Sequence, residues 1–304
     1  MFSGSLRAFD ETVRTGSIRK ASEVLGVAPS SVSRHIAILE AQIGTALFHR
    51  RAGGLQITHA GQLVAEYARS VLMGYDTLKS DLDDIRGVQR RLLRLAVVES
   101  VAHYGPIEAL KKFRDGYPTV SFEVRLMPAP QIVEAVRGGQ FDIGVAFCVE
   151  PAEDIVTLAS VPEPIVLVVR ADHPLALARQ VELRDCVALP LALPGVDFGV
   201  RQILERASGA AGLLLQPVLS SNVFETLRDF VRLGAGASIL PMRAVSQRAG
   251  AEDLRMIPLL GAAFRDATID IIVLRKRRLP RVVKSFVDLL IQEIAAPNAS
   301  VAVA

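Results

Sequence analysis

The sequence predicts an α/β protein in which a small all-α N-terminal part and a long linker helix precede a larger region of strands and helices. Three observations lead to this prediction. Residues 5–44 place apolar side chains at helical spacing between residues that start and stop helices. Residues 64–85 continue that spacing without interruption. From residue 92 onwards, short apolar strands alternate with amphipathic helices, which is typical of sheets covered by helices.

Composition and charge limit the class of protein. The chain has 304 residues, of which 50% are hydrophobic and 22% charged, which is typical of folded chains with more than one domain. Residues 1–60 carry seven Lys and Arg against four acidic residues, and this excess of +3 equals the net charge of the whole chain. A basic N-terminal segment indicates contact with phosphates, although an ordinary solvated helical surface would give the same count.

The sequence favours a cytoplasmic location. No apolar run approaches the ~20 residues that span a bilayer, and the N-terminus lacks the pattern of a secretory signal. The two cysteines, Cys148 and Cys186, argue against a disulfide framework and fit a reducing compartment. The five histidines show no metal-ligand spacing, so we expect neither a metal nor another cofactor.

Two short helices are predicted first. Ser5 is expected to cap the first helix, which stops at Gly16. Ser17 is expected to cap the second helix, which stops at Gly26. A short turn then leads into a third helix, and two helices joined by such a turn form a helix-turn-helix.

The third helix is predicted to contact DNA. It opens with Pro29, and one of Ser30 or Ser31 is expected to cap it. Apolar residues at helical spacing should form its buried face, namely Val32, Ile36, Leu39 and Ile43. The second helix of a helix-turn-helix enters the major groove with its N-terminal part. The outward residues that we predict to contact DNA are Ser30, Ser31, Ser33 and Arg34.

A hairpin is predicted after the third helix. Two short apolar segments flank the glycines at 53 and 54, which favours two strands and a tight turn, or wing. Arg50 and Arg51 on this wing are predicted to bind backbone phosphates, where they add affinity and little sequence preference.

A long helix is predicted to begin after Thr58 and to pair two chains. Its apolar residues alternate in spacings of 4 and 3, namely Val64, Ala68, Val71, Tyr75, Leu78, Leu82 and Ile85. A heptad pattern of this length indicates a coiled coil and hence a homodimer. The alternative is an amphipathic helix that packs on its own domain.

The N-terminal segments together resemble the LysR-type transcriptional regulators, which are DNA-binding proteins with a winged helix-turn-helix. Their order and spacing are specific, whereas no one of them is decisive. They are residues 21–25 (ASEVL), 30–36 (SSVSRHI), 47–50 (LFHR) and 55–61 (LQITHAG). The resemblance implies promoter DNA as a partner and pairing of the effector domains, and therefore a tetramer.

The later part of the chain predicts a mostly parallel sheet, because strands and helices alternate in β-α-β-α-β order. It also resembles the family's effector region, which implies a two-lobed α/β fold like a periplasmic binding protein. The matching segments are residues 113–118 (FRDGYP), 139–144 (GQFDIG), 172–176 (DHPLA) and 231–241 (VRLGAGASILP).

These patterns give one division of the chain. We expect a DNA-binding domain at 1–58, a linker and dimerisation helix at 59–89, and an effector-binding domain at 90–296. Within the last, lobe I should span about 90–163 and 268–296, and lobe II about 164–267. Residues 297–304 are expected to be a disordered tail.

A small-molecule effector is expected between the lobes, because ligands of open α/β sheets bind at the carboxyl ends of strands. An acid at a cleft edge, Glu99, disfavours a simple anionic effector unless it faces away or takes a proton. Each residue named here could equally be a helix cap or part of the core. The candidate effector-binding residues are Glu99, Ser100, Val101, Ala102, Phe147, Val196, Phe198 and Asn222.

Two other classes of protein fit the sequence less well. An enzyme is disfavoured because no G-x-S-x-G or complete dinucleotide motif is present. Cys148 with His103 could form a nucleophile pair, and Cys148 with Cys186 a redox sensor, but a buried thiol is far commoner than either. A solute-binding protein would fit the second half of the chain but not its N-terminal segments.

Overall fold

The computed structural model describes residues 2–51, 54–85, 92–102, 104–246, 253–275 and 279–296. The chain divides into two compact units, the first made of residues 1–88 with 276–280 and the second of residues 89–275 with 281–304. None of the helices within these described ranges is both long and apolar enough to cross a membrane.

The N-terminal unit is a three-helix bundle with a two-stranded hairpin and a long fourth helix. Phe48 pairs with Ile57 in the antiparallel hairpin. The helices pack around a buried cluster that includes Leu6, Phe9, Leu39 and Leu47. The elements are α1 (Phe2–Thr15), α2 (Ile18–Leu25), α3 (Pro29–Ile43), β1 (Phe48–Arg51), β2 (Gly54–Ile57) and α4 (His59–Ile85).

The helix boundaries test the sequence-based assignments. The cap of α2 is confirmed, because the Ser17 hydroxyl accepts a hydrogen bond from the Lys20 N–H. The cap at Ser5 is wrong: α1 begins at Phe2, and Ser5 is buried within it against His35. A serine cap for α3 is also wrong. Its N-cap is Ala28, which makes no side-chain hydrogen bond.

The linker helix α4 packs on its own domain along its first turns and is exposed further along. It has 27 residues and is about 40 Å long. Its start is fixed by Thr58, whose hydroxyl accepts from the Gly61 N–H and donates to the Ala46 carbonyl. The first turns pack on their own domain, where Ala65 and Ala68 are buried. Further along, Tyr75, Leu78 and Leu82 are each between 43% and 55% exposed. The side chain of Ile85 lies outside the described residues.

The C-terminal unit contains two five-stranded sheets. Its strands are β3 (Leu92–Val97), β4 (Ser121–Leu126), β5 (Ile143–Phe147), β6 (Ile155–Pro162), β7 (Ile165–Arg170), β8 (Leu191–Pro194), β9 (Leu219–Ser221), β10 (Ala237–Pro241), β11 (Leu254–Pro258) and β12 (Thr268–Leu274). The first sheet has the order β4-β3-β5-β12-β6 and the second the order β11-β7-β10-β8-β9.

The expectation of mostly parallel sheets is wrong, because both sheets are mixed. β3 pairs in parallel with β4 and β5, whereas β12 pairs antiparallel with β5 and β6. In the second sheet, β8 pairs in parallel with β9 and β10, and β7 pairs antiparallel with β10 and β11. The antiparallel pairs arise where the chain crosses between the sheets, after Pro162 and again before Thr268.

Helices cover the sheets and begin at the carboxyl ends of strands. Three of them, α6 (Ala129–Arg137), α8 (Gly199–Ala210) and α9 (Phe224–Arg232), follow β4, β8 and β9 directly. The helices are α5 (Pro106–Gly116), α6 (Ala129–Arg137), α7 (Leu183–Cys186), α8 (Gly199–Ala210), α9 (Phe224–Arg232), α10 (Met242–Ser246), α11 (Ala262–Arg265) and α12 (Arg281–Ala295). Short 3-10 turns lie at Glu99–Val101 and Pro174–Leu177.

Candidate DNA interface and effector cavity

The predicted DNA-contacting residues lie along the first turns of α3. Ser30 and Arg34 are exposed, and Ser31 and Ser33 are half-buried. The opposite face is anchored by the buried side chains of Val32, Ile36 and Leu39. Ile43, predicted to be buried, is 41% exposed, because the helix ends there and passes beyond the core. The exposed face therefore carries short hydroxyl groups and one cation near a helix N-terminus.

The wing follows α3 after a short connection. Glu40 on α3 accepts hydrogen bonds from the Leu47 and Phe48 N–H groups at 2.8 and 3.3 Å. It thereby ties the start of the hairpin to α3. Arg50 and Arg51 are placed on β1 by pairing with residues 55 and 54. Their side chains lie outside the described part of the chain.

A cavity of about 460 Å³ lies between the two sheets of the C-terminal unit. Five of the predicted effector-binding residues line it: Glu99, Ser100, Phe147, Phe198 and Asn222. Its volume lies within the range of small-molecule sites.

Three other predicted residues lie away from the lining. The 3-10 turn after β3 directs Val101 into the protein core, where it is fully buried, and Ala102 follows it. Val196 is exposed, since a turn that closes with a hydrogen bond from the Phe198 N–H to the Gly195 carbonyl directs it outward.

Sequence reasoning missed part of the lining. Leu126, Met127 and Pro128 contribute from the junction of β4 and α6, and Phe224 contributes from the start of α9. Met127 and Pro128 directly follow strand β4. The rule that ligands bind at the carboxyl ends of strands therefore applies to this junction as well.

Glu99 lines the cavity and connects the first sheet to a helix of the second. Its Oε1 accepts a hydrogen bond of 2.9 Å from the Phe224 N–H, the first N–H of α9. Since α9 has no side-chain cap of its own, the carboxylate from the first sheet caps a helix of the second. Glu99 and Asp197 are the ionisable side chains among the described lining residues.

A second polar cluster lies where the chain first crosses between the sheets. Glu163 is fully buried, and its carboxylate accepts from the Arg243 N–H, the Arg243 guanidinium and the Tyr104 hydroxyl at 2.8, 3.0 and 3.2 Å. Burial raises the pKa of Glu163, and Arg243 opposes this rise. Burial, followed by the Glu163 charge, raises the pKa of Tyr104. The cluster ties together three separate segments of the chain.

The thiols are poorly suited to redox or nucleophilic chemistry. Burial raises the pKa of Cys148, and burial with nearby Asp185 raises the pKa of Cys186 to about 12. His103, which the nucleophile-pair hypothesis places beside Cys148, lies outside the described residues. Across the described ranges, no group of three or more His, Cys, Asp and Glu side chains could hold a metal ion.

We therefore expect both thiols to react slowly in the native protein, because the thiolate is the reactive species. The rate of labelling by an aromatic disulfide reagent at pH 7 should be far lower in buffer than in urea. A Cys148→Ser variant isolates Cys186, which should show almost no labelling until unfolding. Rapid native labelling, or loss of both thiols with mild peroxide, would revive the redox-sensor alternative.

Comparison with known proteins agrees with this architecture. The model of the bacterial regulatory helix-turn-helix of the lysR family matches residues 4–62, and that of the LysR substrate binding domain matches residues 86–295. A RuBisCO operon transcriptional regulator from Allochromatium vinosum is 25% identical over 292 residues, which are 95% of each chain.

Solved structures show the same fold. A full-length OxyR variant from Pseudomonas aeruginosa matches with a TM-score of 0.77 and 19% identity, covering 98% of this chain and 97% of that one. Full-length CbnR in complex with its target DNA matches with a TM-score of 0.58 and 19% identity, covering 96% and 99%. Since the two family models together cover most of the sequence, the chain belongs to the LysR family of non-enzymatic, DNA-binding transcriptional regulators with an effector-binding domain.

Proposed function

We propose that this regulator binds promoter DNA in the cytoplasm through α3 and the hairpin β1-β2. The observation that carries the proposal is the exposed face of α3, where Ser30 and Arg34 project opposite a fully buried apolar face. In this role the first turns of α3 enter the major groove. Arg34 would bind guanine or phosphate, while Ser30, Ser31 and Ser33 approach closely because their side chains are short.

The hairpin adds affinity in this proposal. Arg50 and Arg51 would contact the phosphates beside the groove and contribute little sequence preference. Glu40 supports this geometry, because it fixes the start of the hairpin relative to the helix that reads the groove.

We further propose that α4 pairs two chains. The stripe of Tyr75, Leu78 and Leu82 continues the spacing of residues already buried in the domain, and water covers it in a single chain. Pairing would bury this stripe and present two DNA-binding domains to a two-fold symmetric site. We also propose that the effector-binding domains associate, so that the protein forms a tetramer. The proposed domain boundaries lie at residues 58, 89 and 296.

Replacing both Leu78 and Leu82 with aspartate should weaken the dimer about 100-fold or more, since each apolar side chain loses its burial. Sedimentation velocity over a concentration series measures the change. Leu63→Asp is the matched control: Leu63 is also exposed on α4 but lies outside the heptad positions. Equal weakening by the control, or an unchanged dimer in the double variant, argues against α4 as the dimer contact.

Regulation would follow from the cavity between the two sheets. A small molecule held there stabilises one arrangement of the lobes only to the extent that it binds that arrangement more tightly. The change would reach the DNA-binding domains through α4 and alter their spacing on DNA. The bond between Glu99 and the Phe224 N–H supports this proposal, because it joins the two lobes at the cavity itself.

The DNA-binding proposal is tested by fluorescence anisotropy with a fragment from upstream of the protein's own gene. Arg34→Ala should weaken binding by about 1–3 kcal/mol, because it removes the charged group nearest the groove. Arg184→Ala removes an exposed arginine from the C-terminal unit and should change binding little. If both variants bind like the native protein, α3 does not read the DNA.

A further inference from the structure

The wall of the cavity contains a close contact between the two lobes. Phe147 ends β5 of the first sheet, and Gly199 begins α8, which follows β8 of the second sheet. Both residues line the cavity, and Phe147 is 5% exposed. A Cβ atom at Gly199 would lie 2.9 Å from Phe147 Cδ1, which is closer than carbon atoms pack without repulsion. The ring of Phe147 therefore packs directly on the backbone at the start of α8.

The backbone conformation of Gly199 does not require a glycine. Its φ lies outside the left-handed region, unlike that of Gly26, which ends α2. The residue must be small because Phe147 occupies the space that a side chain would fill. Gly209 in the same helix differs in this respect, since a Cβ atom there would meet nothing within 4 Å.

The backbone that carries Phe147 is held in place by a strained corner. Cys148 has a φ of +48°, a left-handed conformation that costs energy for a residue other than glycine and that often marks ligand clamps and switch regions. Its N–H donates to the Thr268 carbonyl at 2.9 Å, and its Sγ accepts from the Thr268 N–H at 3.4 Å. The Val149 N–H donates to the buried Asp270 carboxylate at 2.7 Å. These bonds fix the corner to β12, so the Phe147 backbone cannot move away from α8 unless they break.

We propose that Phe147 is a positioning residue that sets the spacing of the two lobes across the cavity through its contact with Gly199. Packed interfaces change between discrete arrangements and do not deform continuously, so one added atom at this contact shifts the balance between arrangements. A side chain at position 199 would hold the lobes apart and weaken the bond between the Glu99 carboxylate and the Phe224 N–H. This inference rests on the proposed role of the cavity in regulation, and it adds that the lobes can be shifted without an effector.

Gly199→Ala tests the proposal, and Gly209→Ala is its matched control. The readout is the hydrogen-exchange rate of the Phe224 amide in the full-length protein without effector, resolved to single residues by mass spectrometry. Gly199→Ala should raise this rate at least about tenfold, because separation of the lobes exposes the amide, whereas Gly209→Ala should leave it unchanged. The buried strand β10 should keep its slow exchange in both variants, which shows that each is folded.

A Phe147→Val background distinguishes the steric contact from a general effect on the helix. Valine lacks the δ atoms that a Cβ atom at Gly199 would meet. In this background Gly199→Ala should change the Phe224 exchange rate by less than about threefold, because the two positions no longer interact. A loss of helix stability alone would act equally in both backgrounds.

An exchange rate at Phe224 that Gly199→Ala leaves unchanged overturns the inference. An equal effect of Gly209→Ala also overturns it, as does an equal effect of Gly199→Ala in both Phe147 backgrounds. DNA binding of the same samples, measured by anisotropy, separates these outcomes from failure of the proposed function. If the exchange rates change as expected and DNA binding does not, the contact sets the lobe spacing and the proposed coupling of the lobes to DNA is wrong.

Discussion

Replacing Glu163 with alanine is expected to lower the free energy of unfolding of the C-terminal unit by about 3–5 kcal/mol. The change removes the acceptor for two hydrogen bonds from Arg243 and one from Tyr104. The Arg243 side chain is only 13% exposed, so its charge would be left nearly buried beside a cavity. The large effect arises from the groups that lose their partner and not from the packing of one methylene chain.

Urea unfolding followed by circular dichroism measures this effect. Glu163→Gln is the matched control, because it keeps the size and one acceptor oxygen and should cost clearly less. If alanine and glutamine lower the stability equally and by less than about 1 kcal/mol, the cluster contributes little and the account of the crossover is wrong.

Gly61→Ala is expected to destabilise the N-terminal unit by about 1–3 kcal/mol or more and to reduce DNA binding with it. A Cβ atom at this position would lie 2.3 Å from the Leu47 carbonyl oxygen and 2.7 Å from Ile57 Cγ1. The same carbonyl accepts a hydrogen bond from the Thr58 N–H. The backbone between the hairpin and α4 therefore cannot shift to accommodate an added methyl group without breaking this bond.

The control for Gly61 lies in the same helix. A Cβ atom at Gly74 would meet nothing within 4 Å, so Gly74→Ala should raise stability by roughly 0.5–1 kcal/mol through helix propensity. Thermal unfolding of the two variants, compared with the native protein, gives the sign of each change. A Gly61→Ala variant as stable as Gly74→Ala would contradict the described packing at Leu47.

Local signals predicted the N-terminal unit well, where helix ends depend on neighbouring residues. Gly26 adopts a left-handed conformation and ends α2, and Pro29 opens α3. The errors have local reasons too. Ser5 was assigned as a cap because a hydroxyl precedes the first apolar repeat, whereas α1 continues upstream to Phe2. The N-cap of α3 is Ala28, followed by Pro29, so neither Ser30 nor Ser31 occupies the capping position.

Features that join distant segments could not be read from local patterns. The cluster at Glu163 depends on Tyr104, 59 residues earlier, and on Arg243, 80 residues later. The sheets depend in the same way on pairing between distant segments. β12 pairs antiparallel with β5 and β6 and makes the first sheet mixed, whereas β7 pairs antiparallel with β10 and β11 and makes the second sheet mixed.

The candidate cavity was predicted in outline and not in its chemistry. The rule that ligands bind at strand ends located Glu99, Phe147 and Asn222. The same rule could not show which of four consecutive residues after β3 turn inward, because the 3-10 turn at Glu99–Val101 decides that. Nor could it show that Glu99 would face α9, since this contact spans 125 residues.

The most direct test of the central proposal, that α3 reads promoter DNA in a paired protein, is a DNase I footprint of the DNA upstream of the protein's own gene. The account predicts two related protected half-sites whose centres lie a whole number of helical turns apart, about 10 base pairs or a multiple. Arg34→Ala should lose this protection at concentrations where Arg184→Ala retains it. No protection by the native protein at low salt, or equal protection by Arg34→Ala, would contradict the account.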